Sequence, residues 1–132
     1  MAIINYNGKT ISDEDIKDVL VKIATHLGTI NVTSGNRNAV PRGGSKTSLH
    51  LINQAVDFSI TGMSLEDTFK KLIEKRYLLF NSSHKYEVIW HGQYTITGGP
   101  HIHIGRHAMG SGVSFKKEGT SAETKGKYST AP

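Results

Sequence analysis

The chain has 132 residues, with 16 Lys and Arg against 11 Asp and Glu, seven His and no Cys, for a net charge of +5. That length suits one domain, and the lack of cysteine excludes a disulfide scaffold, a thiolate metal site, an iron–sulfur cluster and a cysteine nucleophile. No apolar run approaches the roughly 18 residues of a membrane span, and the opening MAIINYNGKTISDED has neither a basic leader nor an apolar stretch, so no signal peptide is expected.

In chain order, residues 3–6 predict a short strand before an Asn7-Gly8 turn. Ser12 reads as an N-cap, with Asp13, Glu14 and Asp15 in the first turn, where the helix dipole favours acids. Ile16, Val19, Leu20, Ile23 and Leu27 recur at helical spacing and Gly28 stops the helix. A strand over residues 29–33 follows, then a long loop over 35–47 without apolar periodicity. Residues 54–60 predict a strand, and Ser64 caps a second helix whose apolar face is Leu65, Phe69, Leu72 and Ile73. Two more strands are expected at 86–90 and 101–104. The reading is an α+β domain over residues 1–106, a small, mainly antiparallel sheet with helices packed on one face. Residues 107–132, rich in Gly, Ser, Thr and Lys, read as a basic tail, mobile or loosely docked. Such a tail either attaches the chain to a polyanion or keeps it soluble.

Chemistry concentrates in two places. In His101-Ile102-His103 a strand sends both imidazoles to one face. The pair is either the start of a zinc site or two ordinary strand histidines. In the second place, Asp57 lies between Val56 and Phe58, where an ionised carboxylate must be paired or ligated, by a cation or by an arginine such as Arg37 or Arg42. With His50 seven residues before it, His50, Asp57 and His103 make a His₂Asp set with one coordination position open, the ligand count of catalytic rather than structural zinc. His84 and His107 read as solvated loop residues.

The run SLHLINQAVD resembles the S-x-H-x-x-G-x-A-x-D signature of the zinc D-Ala-D-Ala carboxypeptidase and L-alanyl-D-glutamate endopeptidase group. PHIHIG is similar to that group's distal H-x-H and to the same element of the hedgehog signalling domain, and Ser34-Gly35-Asn36-Arg37 with Gly43-Gly44 resembles the stretch before the first ligand. The resemblance spans residues 34–105. It implies a hedgehog-like peptidase fold and one Zn²⁺ on His50, Asp57 and His103. It also implies that His101 stabilises the transition state or moves a proton, that Arg37 holds a substrate carboxylate, and that Ser48 belongs to the substrate site, where it backs the binding groups or shapes the loop. Asn53 replaces the usual glycine of the signature, and Asn tolerates left-handed backbone better than most residues. Many relatives carry a glutamate three or six residues before the last ligand; here those positions are Pro100 and Thr97. Glu87, His91 and His101 are the nearest groups able to take the proton, and Glu87 and His91, four apart, share a strand face.

The function so implied is a zinc metallopeptidase cutting an amide bond in peptidoglycan stem peptides, as carboxypeptidase or endopeptidase. It would be made in the cytoplasm and act in the periplasm or cell wall as a lysis enzyme or injected toxin, with an immunity protein or delivery machinery as potential partners. The alternative is a zinc-holding module that binds a wall peptide or protein partner without cleaving it. A metal-dependent nuclease is the third reading, and no nucleic-acid partner is expected, because five basic residues without interleaved aromatics are a weak signal for one.

Overall fold

The helix expected after Ser12 forms α1 over Glu14–His26, but its N-cap is Asp13, whose carboxylate accepts from the Ile16 amide. Ser12 is occupied instead by the Asn36 side-chain amide, at 2.6 Å. The computed structural model describes residues 2–36 and 54–131. Within these, β1 is Ile4–Asn5, β2 is Ile30–Ser34 and β3 is Ala55–Ile60. Two helices follow, α2 over Leu65–Glu74 and the one-turn α3 over Arg76–Leu79. Ser64 caps α2 as expected, accepting from the Asp67 amide. Strand β4 spans Lys85–His91 and β5 His101–His107. Strand β6 is Gly112–Glu118, a 3-10 turn covers Ala122–Thr124, and β7 is Tyr128–Ala131.

Among the described residues the strands make one mixed sheet in the order β1-β2-β3-β5-β4-β6-β7. The pairs β1–β2 and β4–β6 are parallel, and the other four are antiparallel. The chain is thus α+β with a mostly antiparallel sheet. No helix among the described residues is long and apolar enough to cross a membrane.

Residues 107–131 overturn the expectation of a loose tail, and the boundary drawn at residue 106 falls inside β5. Strand β6 pairs with β4 along its whole length, and β7 closes that side of the sheet. Composition hid a short period-2 pattern: Val113 and Phe115 are alternate residues, and Phe115 is buried against Phe69 and Phe80.

The core forms on one sheet face. Val56, Phe58, Val88, Ile102, Ile104 and Phe115 join Ile16, Leu20 and Ile23 of α1 and Phe69 and Leu72 of α2 in a single apolar cluster. Strand alternation sends the neighbouring residues to the opposite face. Arg106 ties α1 to the sheet: its Nη2 and Nε donate to the two Asp13 oxygens at 2.7 and 3.1 Å, and Nε lies 3.6 Å from Asp15. Burial raises the Asp13 pKa, but the Arg106 hydrogen bond and charge outweigh it and the net shift is downward. Because the pair is bidentate and largely shielded, Arg106→Met is expected to cost about 2 kcal/mol in urea unfolding.

Candidate functional site

The sheet face away from the core carries an unusual set of side chains. Asp57 on β3 stands opposite His103 on β5, His101 on β5 opposite His91 on β4, and His91 opposite Glu118 on β6. Glu87 belongs to the same face of β4, four residues from His91. Exposure is 4% for Asp57, 5% for His91, 7% for His101, 6% for His103 and 0% for Glu118. Ionisable groups so deeply buried need partners, and here each supplies one to the next.

Asp57 sits between two imidazoles. Its Oδ1 is 3.0 Å from His103 Nδ1, and its Oδ2 is 3.5 Å from His101 Nε2. His103 Nε2 is 2.7 Å from Glu87 Oε2, and the other Glu87 oxygen is 3.4 Å from His107. His103 therefore lies between two carboxylates. Burial disfavours its charge, but the hydrogen bonds and charges of Asp57 and Glu87 more than offset this and push its pKa up to about 9. Burial likewise works against an ionised Glu87, yet His103, with His107 and Lys116 beyond it, holds Glu87 below the usual carboxylate range. His107 is accordingly a strand residue reaching into the site rather than a loop residue. His84 is half-exposed, 3.9 Å from Asp15.

His101 is held differently. Its Nδ1 donates to the Gly99 carbonyl at 2.7 Å, which leaves Nε2 as the nitrogen facing Asp57 Oδ2. An imine nitrogen and a carboxylate oxygen directed at each other favour a proton or a metal cation between them. A ring fixed by a backbone carbonyl through its remote nitrogen also matches the support that metal-binding histidines usually have.

A second buried cluster closes the other end of the row. His91 Nδ1 is 2.7 Å from Glu118 Oε1, which also accepts from the Thr95 hydroxyl. Glu118 Oε2 accepts from the Gly126 amide at 2.8 Å. Close backbone approach makes this possible: a Cβ on Gly92 would meet the Gly119 carbonyl at 2.5 Å, and one on Gly119 would meet the Thr95 nitrogen at 2.5 Å. The Gly92 amide donates to Glu118 O and the Tyr94 amide to Gly119 O. Burial opposes the Glu118 charge, but Thr95, His91 and Gly126 hold its pKa low. For His91 burial is the larger effect and lowers the pKa despite Glu118, so the ring is neutral at pH 7. The His91 ring lies 4.5 Å from that of His101 and meets Tyr128 edge-on at 6.0 Å.

Of the residues expected from sequence, Glu87, His91, His101, His103 and Asp57 come together on this face. Arg37, Ser48 and His50 lie outside the described residues. Glu118 was missed because it stood in the supposed tail, 27 residues from His91. A lone acid next to Phe115-Lys116-Lys117 carries no signal; only the period-2 pattern ending at Gly119 could have placed it on a strand. Among the described residues, no group of three or more His, Asp or Glu is arranged to hold a metal ion by itself. The donor chemistry of Asp57 and His103 nevertheless fits zinc, which favours neutral imidazole and carboxylate ligands. No family model matches the chain, and neither a curated protein nor a solved structure matches it.

Proposed function

We propose that the chain is a zinc-dependent amide hydrolase acting on peptidoglycan stem peptides, with zinc held by Asp57 and His103 and by His50 as the third protein ligand. The observation that carries this reading is Asp57, at 4% exposure in an apolar strand and flanked by two imidazoles. Zinc there would supply Lewis-acid polarisation of the scissile carbonyl and acidify water. For His103 to ligate, it gives up its extra proton and one of its two carboxylate contacts. His101, fixed by Gly99, stands on the other Asp57 oxygen, placed to stabilise negative charge developing on the substrate or to pass a proton. Arg37 and Ser48 are the proposed substrate-binding residues, the guanidinium suiting a stem-peptide carboxylate. A net charge of +5 favours encounter with an anionic wall polymer, reached after release or injection.

The second reading, a zinc-holding module that binds without cleaving, gains support from Glu87. Both its oxygens are engaged, by His103 and His107, so it is a poor general base. Mass spectrometry of purified muropeptides incubated with the zinc-loaded protein separates the two, with His103→Ala as control. A defined fragment absent from the His103→Ala reaction is the expected result, and its mass names the bond. Intact muropeptides across peptide lengths and cross-links would favour the binding module.

A further inference from the structure

Glu118 is the most completely buried acid in the described structure, and nothing in the hydrolytic reading above uses it. Its carboxylate can only accept hydrogen bonds. Facing His91 Nδ1 at 2.7 Å, it requires that nitrogen to carry the proton. The His91 lone pair is then on Nε2, which has no hydrogen-bond partner among the described residues. Asn36 Oδ1 is the only buried, unpartnered side-chain polar atom among them, so His91 Nε2 keeps access to solvent. The ring cannot easily turn: Thr95 and Thr97 hydroxyls both lie 3.3 Å from Nδ1, and the Tyr128 ring packs at right angles to it, 6.0 Å between centres.

We propose that Glu118 is a positioning residue that holds His91 in its Nδ1–H tautomer and so makes His91 Nε2 the proton acceptor of this site. The inference rests on the hydrolytic reading for its catalytic consequence but not for its geometry. In the reaction, His91 Nε2 takes a proton from the water whose oxygen attacks the scissile carbonyl carbon. The new C–O bond forms as the carbonyl π pair moves onto oxygen. When that pair returns and the C–N bond breaks, the imidazolium gives its proton to the leaving nitrogen, and His91 is neutral again. Carboxylate, imidazole and water are thereby ordered as in other carboxylate–histidine pairs, where the acid orients the ring and selects its tautomer without being protonated.

Glu118→Gln tests this with almost no change of shape. The Gly126 amide is a fixed donor and demands an acceptor, so the carboxamide oxygen of the variant must take the place of Oε2. The carboxamide NH₂ then faces His91 and donates to Nδ1, which moves the ring proton to Nε2. In zinc-loaded protein, ¹⁵N spectra of His91 are expected to show a protonated Nδ1 in the wild type and in Glu118→Asp, and a protonated Nε2 in Glu118→Gln. On muropeptides, Glu118→Gln is expected to lose about 10³–10⁴-fold in kcat with KM little changed, as for other wrong-tautomer variants. A protonated Nε2 in the wild type overturns the proposal without any variant. A reversed tautomer with kcat retained overturns it too, since His91 would not then carry the proton. If the wild type cleaves nothing but the tautomer reverses in Glu118→Gln, the peptidase reading fails and the Glu118 assignment stands.

Discussion

Asp57→Ala is expected to destabilise the metal-free protein by about 3–5 kcal/mol, the range for removing one partner of a buried ion pair. Asp57 is 4% exposed and gives one oxygen to His103 at 3.0 Å and the other to His101 at 3.5 Å. Truncation strips a nearly buried, charged imidazole of one of its two carboxylates and turns His101 Nε2 toward an empty space. Packing cannot compensate, because the Asp57 face of β3 meets other polar groups rather than the apolar cluster. Asp57→Asn keeps the volume and a hydrogen bond, so it is expected to cost less, about 2 kcal/mol. Urea unfolding of chelator-treated protein reads both values. A loss under about 1 kcal/mol for Asp57→Ala would mean that the row is hydrated and loosely held, contrary to its burial.

The second large effect is a loss of stability on the alkaline side. His103 has its pKa raised from 6.5 to about 9 in the folded state. A raised folded pKa means the native state binds the proton more tightly. The stabilisation is therefore fully present below pH 6.5 and disappears as pH rises through about 9. Converted at 1.36 kcal/mol per unit, it amounts to about 3 kcal/mol, roughly two-thirds of it lost between pH 7 and 9.5. His91 works in the opposite sense: its pKa is lowered, so protonation of the unfolded chain costs stability as pH falls below 6.5. Glu87 and Glu118, held low, add to the acid-side loss as they are protonated. The metal-free protein should be most stable near neutrality, and its alkaline slope should be much shallower in Asp57→Asn. Urea midpoints collected every half pH unit show this directly; a flat profile from pH 7 to 9.5 would contradict the charged state of His103.

Much of this site was legible before the fold was known, because strand alternation is a strong rule over short spans. His101 and His103, two apart, had to share a face, as did Glu87 and His91, four apart. An aspartate between Val56 and Phe58 had to find a partner, and it found imidazoles. The helices were equally plain, from Ile16 to Ile23 at helical spacing and from Ser64 as a cap. The last fifth of the chain was misread for a physical reason. Gly, Ser, Thr and Lys dominate it, and a strand whose one deeply buried apolar residue is Phe115, with Val113 beside it, leaves a faint periodic trace. Parallel pairing of β6 with β4 is a long-range event that local propensity does not encode. Glu118 depends on that pairing twice over, since its partners come from β4, from the turn after it and from Gly126.

The hydrolytic reading depends on Asp57 and His103 accepting a metal. Native mass spectrometry of chelator-stripped protein titrated with zinc tests this most directly, with Asp57→Asn and His103→Ala alongside. The account predicts one zinc per chain, with binding weakened at least about 100-fold in either variant, as loss of a direct ligand should exceed the 10–100-fold cost of losing a supporting group. A wild type that takes up no zinc at stoichiometric concentration, or that binds it equally well without His103, would contradict the account.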